Sequence, residues 1–507
     1  MATLKQKVVR GSLWSLLERL CRMFAGFGVT LVLARLLTPA DYGVVALLTI
    51  FISISSALAD AGFGDALVQK KNATDMDFNS VFYLSIVTTS IFYLILFFSA
   101  PAISRFYGQP ILVPILRILA LKLIFASVNS VQNAELVKNL LFDKSFKISL
   151  IGLTATWTIG ITLAFLGYGP WAIVWSEIGG GLVGVAARWF IIAWRPKLMF
   201  SFCSLRTLFN FGWKISCVSL IDRIYNNLYG LLIGKIYTPA DLALVNKGRS
   251  LPTMFMDAVY GTINSVTYPT MVQLQDNLDM VRIGMRKMLV CSTFLIFPMM
   301  AGLIGCAQSV VFLAFGENWV SCVPYVQIAC FALAVKPLSS VNNFTLLALG
   351  YSNVLLKLEI VKKIIGLVLM AVSIRYGVFV FMLANIFALE VCSIMVNARS
   401  VKRIIGYTLL SQVRDVVPAL TASTLMGLIV WGCGLFRPLL VKMLHNSIGA
   451  SLLVLVIQVT LGVIVYGILS LLFRMDGLVE YWRILRPRFT ERFSQFVQRV
   501  DAKLYKV

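Results

Sequence analysis

Fourteen stretches of predominantly apolar residues follow one another along this chain. Each is long enough to cross a hydrocarbon core, which takes about 20 residues as a helix. They lie near 12–35, 42–59, 79–104, 112–134, 148–166, 169–193, 207–235, 241–270, 288–313, 323–348, 355–375, 377–397, 415–435 and 447–473. Several connections are short and marked by Gly or Pro, as in Gly167-Tyr168-Gly169-Pro170, which ends one helix and starts the next. The eighth stretch is the most polar, with Lys247, Arg249 and Asp257 inside it. The pattern predicts an all-α polytopic membrane protein of about fourteen transmembrane helices. Lys5, Lys7 and Arg10 ahead of the first stretch resemble the start of a secretion signal, but Glu18, Arg19 and Arg22 interrupt its apolar core. It is therefore expected to be a retained first helix.

Composition agrees. Of 507 residues, 59% are hydrophobic and 13% charged, against about 25% charged in a soluble domain. The charge is +23, from 45 Lys and Arg against 22 Asp and Glu. In a soluble chain such a surplus suggests nucleic acid, but here the cations gather at the ends of apolar stretches, and no nucleic-acid partner is expected. With the first connection placed inside, the inner connections and the C-terminal tail hold 26 cations. The outer connections hold six: Arg35, Arg105, Lys235, Arg375, Arg437 and Lys442. By the positive-inside rule both termini are cytoplasmic. The remaining thirteen cations lie within the stretches or close to their ends.

The chain repeats itself. Thr38-Pro39-Ala40-Asp41 recurs as Thr238-Pro239-Ala240-Asp241, and Gly11 with Ser15 is matched by Gly212 with Ser216. Locally, Thr-Pro-Ala-Asp reads as a helix start, with Thr as cap, Pro at the first helical position and Asp near the positive end. Six helices separate the starts of the second and eighth stretches, so both copies fall on one side of the membrane. The expectation is two six-helix lobes, 1–200 and 201–400, related by a pseudo-two-fold axis along the membrane normal with a cleft between them. Two additional helices (401–473) and a basic cytoplasmic tail (474–507) follow.

Charge at membrane depth is costly and usually lines a polar cavity or is paired. Arg19, Arg22, Arg117, Lys122, Arg188, Lys214, Arg223, Lys247, Arg249, Lys336, Lys357, Lys362 and Lys363 face only Glu18, Glu177, Asp222, Asp257, Glu359 and Glu390. Some have a structural reading. Glu18 with Arg22, and Glu359 with Lys363, have the i,i+4 spacing of same-face pairs. Arg188, Lys214, Lys357 and Lys362 lie near inner helix ends, where long side chains reach the headgroups. Arg19, Arg117, Lys122, Arg223, Lys247, Arg249 and Lys336 are the candidates for a cationic cleft, which suits a pyrophosphate or an acidic sugar. A pump for cationic drugs would need carboxylates in excess.

Catalytic and metal chemistry have little to stand on. The nine cysteines are scattered without a CxxC pair, and His445 is the one histidine. No GxxxxGK[ST] phosphate loop occurs, and that is the signature an ATP-hydrolysing chain would carry. The chain is expected to be no enzyme, to need no metal and no cofactor, and to present Trp171, Trp175, Trp189 and Trp194 as interface anchors.

Motifs spread over most of the chain resemble the polysaccharide-exporter branch of the multidrug/oligosaccharidyl-lipid/polysaccharide flippase superfamily. They are Gly11-Ser12 with Trp14, Leu33-Ala34-Arg35-Leu36-Leu37 with Tyr42-Gly43, Asp60-Ala61-Gly62-Phe63-Gly64 with Leu67-Val68-Gln69-Lys70, Tyr268-Pro269-Thr270-Met271 with Leu274-Gln275-Asp276, and Phe315-Gly316-Glu317-Asn318-Trp319 with Pro324. Within that branch the likeness is to the colanic acid exporter and its teichuronic acid and O-antigen relatives, and it weakens after about residue 400. The resemblance implies a flippase that alternates between inward- and outward-open states. Its substrate would be a polyprenyl-pyrophosphate-linked oligosaccharide repeat unit, moved from the cytoplasmic to the periplasmic leaflet of the bacterial inner membrane. That transport would feed exopolysaccharide, capsule or O-antigen synthesis. It also implies a coupling proton or sodium ion, with Glu18, Asp222 and Asp257 as candidate carboxylates, and a monomer working beside a polysaccharide polymerase and a chain-length regulator. A peptidoglycan lipid-precursor flippase and a cation-coupled drug exporter are the neighbouring transport readings. A non-transporting scaffold is a third, for which the polar eighth helix fits poorly.

Overall fold

The computed structural model describes residues 4–60, 63–70, 73–139, 141–444 and 447–490, which form helices, turns and no strand. His445 and the tail residues 491–507 lie outside the described residues. In chain order the helices are α1 (Leu4–Leu36), α2 (Pro39–Asp60), α3 (Phe63–Gln69), α4 (Asp75–Tyr107), α5 (Leu112–Leu119), α6 (Lys122–Lys138), α7 (Phe142–Phe165), α8 (Pro170–Ile191), α9 (Phe202–Ile236) and α10 (Pro239–Gln273). Then come α11 (Leu278–Phe315), a 3-10 turn (Glu317–Cys322), α12 (Val323–Ala348), α13 (Ser352–Ser373), α14 (Val378–Ile386), a π-helical turn (Phe387–Val391), α15 (Cys392–Ile405), α16 (Leu409–Gly434), α17 (Arg437–Leu444), α18 (Ser447–Leu472) and α19 (Asp476–Thr490).

Each of the fourteen expected stretches falls on a helix. The fourth is broken into α5 and α6, and the twelfth runs through α14, the π turn and α15. Among the described residues, nine stretches are long and apolar enough to cross a membrane by composition alone. The other five, on α1, α8, α9, α10 and α13, hold most of the charges singled out above. The chain is a multi-pass, all-α membrane protein. Helix is the necessary form, because a span in lipid must satisfy every backbone N–H and C=O internally.

The two Thr-Pro-Ala-Asp segments start helices as their spacing predicts. Asp41 N donates to Thr38 Oγ1 (3.3 Å) while Thr38 N donates to Asp41 Oδ2 (2.9 Å). At the second copy both reciprocal bonds, between Thr238 and Asp241, are 3.1 Å. Each is a capping box followed by proline at the first helical position.

The chain divides into two compact units, Met1–Ala243 and Leu244–Val507. In the first, α7 lies along α8 and α1, α2 packs on α9, and α4 packs on α6. Glycine lets these helices approach closely, as at many helix contacts in lipid. A Cβ on Gly180 of α8 would stand 1.8 Å from Thr156 Oγ1 on α7, and one on Gly234 of α9 would stand 2.1 Å from Leu47 Cδ2 on α2. Gly43 on α2 abuts main chain instead, since its Cβ would stand 2.1 Å from the Pro239 carbonyl oxygen. A core of Phe63, Leu67, Phe78, Val81, Phe82 and Val131 closes α3, α4 and α6 together.

In the second unit α11 is the central post, packed by α12, α16, α18 and α19. Gly305 on α11 faces the backbone of α16 at Gly427 and Trp431, and Gln458 of α18 donates to the carbonyls of Gly305 (3.3 Å) and Val430 (2.9 Å). Its core includes Met285, Leu289, Phe297, Leu338, Ile394 and Val416.

The Gly43 contact makes a checkable claim. Gly43→Ala should cost about 1–3 kcal/mol, because the obstructing atoms are backbone and cannot rotate away. The thermal unfolding midpoint in detergent should fall accordingly. Gly26→Ala, whose Cβ meets nothing within 4 Å, should leave that midpoint unchanged or slightly raised.

Candidate functional site

Taken unit by unit, the described charges at membrane depth form distinct groups. In the first unit, Glu18 on α1 pairs with Arg22 one turn on. Ser149 of α7 closes this pair by donating to Glu18 Oε1 (2.8 Å) and accepting from Arg22 Nη2 (3.0 Å). Arg188 of α8 feels the charges of both Arg22 and Glu18. Its Nη1 is buried without a hydrogen-bond partner among the described residues. Two guanidinium groups, one carboxylate and one hydroxyl thus bring α1, α7 and α8 together.

The other candidates of this unit are spread out. Lys122, the first residue of α6, is 2.5 Å from Glu177 Oε2 on α8. Arg117 lies over the Phe97 ring, 4.3 Å from its centroid, with Nε 3.4 Å from the Phe97 carbonyl oxygen. Arg223 stands near the middle of α9 with its side chain exposed. Arg19 and Asp222 sit in α1 and α9, but their side chains lie outside the described residues.

In the second unit, Lys247 is buried, with Nζ 5.6 Å from the Phe315 ring centroid and 5.8 Å from that of Trp319. The quadrupoles of the two rings offset part of the cost of burying its charge. Arg249 and Asp257 of the same helix are exposed.

Lys336 belongs to a larger assembly. It faces Glu390, which lies in the π-helical turn and feels the charges of Lys336 and Lys362. Glu390 Oε2 accepts from Ser339 Oγ of α12 (3.1 Å). Lys362 of α13 is bonded to Glu359 and, at 3.3 Å, to Ser393 Oγ. Asn397 links Ser393 (3.1 Å) to Asn343 (2.6 Å), and nearby Asn342 and Gln412 exchange side-chain amide bonds at 2.9 and 3.1 Å. Two lysines, two carboxylates and a set of amides and hydroxyls therefore meet between α12, α13, the π turn and α15. Such a network holds charge in a low-dielectric interior because most of its polar groups are satisfied. A π turn inside a helix is a frequent mark of a functional position.

Six of the seven candidate cations have described side chains, and each is placed within its own unit. Lys122 and Lys336 meet carboxylates, Arg117 and Lys247 meet aromatic rings, and Arg223 and Arg249 are exposed. Lys362, expected to reach the headgroups, is instead buried against Glu359 and Ser393. Glu177, Glu390, Ser149 and Ser393, which tie these groups together, are invisible as partners in the sequence, because each pairing joins different helices. Among the described residues no three His, Cys, Asp or Glu side chains come close enough to hold a metal.

Comparison with known proteins places this architecture. Residues 32–324 match the family model described as "Polysaccharide biosynthesis protein". The lipopolysaccharide biosynthesis protein WzxC of Escherichia coli K12 is 24% identical over 347 residues, 67% of this chain and 69% of that protein. The teichuronic acid biosynthesis protein TuaB of Bacillus subtilis 168 is 22% identical over 69% of this chain and 73% of that protein. Among solved structures, the lipid II flippase MurJ in an inward closed conformation superposes with a TM-score of 0.67 at 14% identity. That superposition covers 93% of this chain and 100% of MurJ, so the two share a fold. The family match spans more than half of the residues, and this chain belongs to the polysaccharide biosynthesis protein family.

Proposed function

We propose that this chain is a flippase of the bacterial inner membrane that moves polyprenyl-pyrophosphate-linked oligosaccharide repeat units to the periplasmic leaflet by alternating access. The observation that carries it is the joint one above: a polysaccharide-biosynthesis family match on the fold of a lipid-linked-sugar flippase. The physical chemistry is consistent. Basic side chains at membrane depth outnumber acidic ones, and a diphosphate with an acidic glycan is the head group such a surplus stabilises. The repeated Thr-Pro-Ala-Asp starts support two lobes, 1–200 and 201–400, as the moving parts, with 401–473 and the basic tail as additions. Both termini face the cytoplasm in this reading.

Of the basic candidates, Arg223, Arg249 and Lys336 are best suited to meet a head group, two by exposure and Lys336 by its place beside the π turn. Arg19, Arg117, Lys122 and Lys247 supply longer-range positive potential. The transport step makes and breaks no covalent bond, so the chain acts without enzymatic chemistry. A proton or sodium ion drives the cycle, with exposed Asp257 better placed to exchange it than Glu18, which is engaged by Arg22. A polysaccharide polymerase and a chain-length regulator work with the chain, itself a monomer. A peptidoglycan-precursor flippase is the alternative that the MurJ-like fold keeps in view.

Two measurements test this. Deleting the gene in its host should abolish surface polysaccharide, leave lipid-diphosphate-linked repeat units on the cytoplasmic leaflet, and leave cell-wall synthesis intact. Arrest of the wall with normal polysaccharide would favour the alternative. Arg223→Ala and Lys336→Ala should each cut exported polysaccharide by roughly tenfold or more, the scale of one lost charge-assisted contact, at unchanged membrane levels. Normal export in both would remove them from the substrate path.

A further inference from the structure

The second unit holds a cavity of about 460 Å³ apart from every residue assigned above, lined by Arg282, Ile283, Arg286, Tyr407, Ser411, Arg414 and Asp415. It forms where the first turns of α11 meet the start of α16. Its one carboxylate is already engaged. Asp415 Oδ1 takes Arg286 Nε at 3.1 Å, and Oδ2 accepts from the Tyr407 hydroxyl at 2.5 Å. Burial, and then this hydrogen bond, hold the Tyr407 phenol well above its usual range, so the hydroxyl keeps its proton and Asp415 stays an acceptor. Arg286 is further tied to Asp476 of α19 at 2.7 Å.

Arg282 and Arg414 are different. Both are exposed, and among the described residues neither has an ion pair or a hydrogen bond. Two uncompensated guanidinium groups therefore converge on one cavity beside the positive end of α16. Guanidinium forks match phosphate oxygens in pairs.

The surroundings indicate where the phosphate comes from. On α16, Leu410, Val413, Val417 and Leu420 are 80%, 39%, 39% and 46% exposed and share one face. An apolar face of this kind meets hydrocarbon, which puts the cavity at headgroup depth, where basic pockets between membrane helices capture anionic lipids. We propose that this cavity binds the phosphoryl group of an anionic phospholipid, gripped by Arg282 and Arg414, with Arg286 and Asp415 fixing its walls. A soluble phosphate ester would offer the same chemistry, and the test separates the two sources.

The full chain, purified in detergent and stripped of lipid, would be titrated with phosphatidylglycerol, with phosphatidylcholine, and separately with inorganic phosphate. Native mass spectrometry reads lipid binding and thermal shift reads phosphate binding. Phosphatidylglycerol should bind and phosphatidylcholine should not. Arg282→Gln/Arg414→Gln should weaken the binding at least about tenfold per arginine. These side chains make no described ion pair or hydrogen bond, so the variant should keep its gel-filtration profile. Lys402→Gln/Arg403→Gln removes two exposed charges that do not line the cavity, and should change binding less than about twofold. Saturable phosphate binding lost in the same variant would keep the site and assign it to a soluble ligand. Absence of binding by both probes, or equal losses in the two double variants, would overturn the proposal.

Discussion

A charge taken out of water must find another charge, a dipole or a pocket of water, and in a chain that lives in lipid this constraint organises almost everything else. The protein meets it in three ways. Glu177 on a neighbouring helix neutralises Lys122 and Glu359 on its own helix neutralises Lys362, aromatic faces receive Arg117 and Lys247, and Arg223 stays exposed. Each solution ties the position of a basic group to helix packing. A rearrangement of helices therefore changes which charges are covered and which are open, and a transporter of anions depends on such a change.

The packing that supports these groups relies on the absence of side chains as much as on their presence. Without a hydrophobic drive between helices in lipid, close approach and dispersion hold them together. The Gly180 contact with Thr156 and the approach of Gly305 to α16 are its clearest cases. The π turn at Phe387–Val391 works in the opposite sense. It widens one helix by a residue, and Glu390 sits within that widened turn.

The two basic regions differ in kind. Most polar groups of the network around Lys336 and Glu390 are paired with one another, Asn397 Oδ1 being an exception, so it holds charge in place. The cavity at Arg282 and Arg414 leaves these two guanidinium groups without an ion pair or hydrogen bond among the described residues, and it lies at the ends of two apolar stretches. A membrane protein that handles one phosphate-bearing lipid while touching a bilayer full of others benefits from keeping those two kinds of site apart.

The helices themselves were legible in the sequence. An apolar run of about 20 residues has one way to satisfy its backbone in lipid, and Thr-Pro-Ala-Asp carries its cap, its proline and its acid within four residues. The surplus of basic residues was equally plain, since it is a count. What each basic residue meets was decided by tertiary structure alone. Lys122 and Glu177 are separated by 55 positions and Arg286 and Asp476 by 190, and nothing local in the chain states such distances. Lys362 shows the same limit. Its place near a helix end pointed outward to headgroups, yet the neighbouring helix puts Ser393 beside it and turns it inward. Local hydrogen bonding and periodicity are written in consecutive residues, whereas the partner of a long side chain depends on which helix is packed next to it.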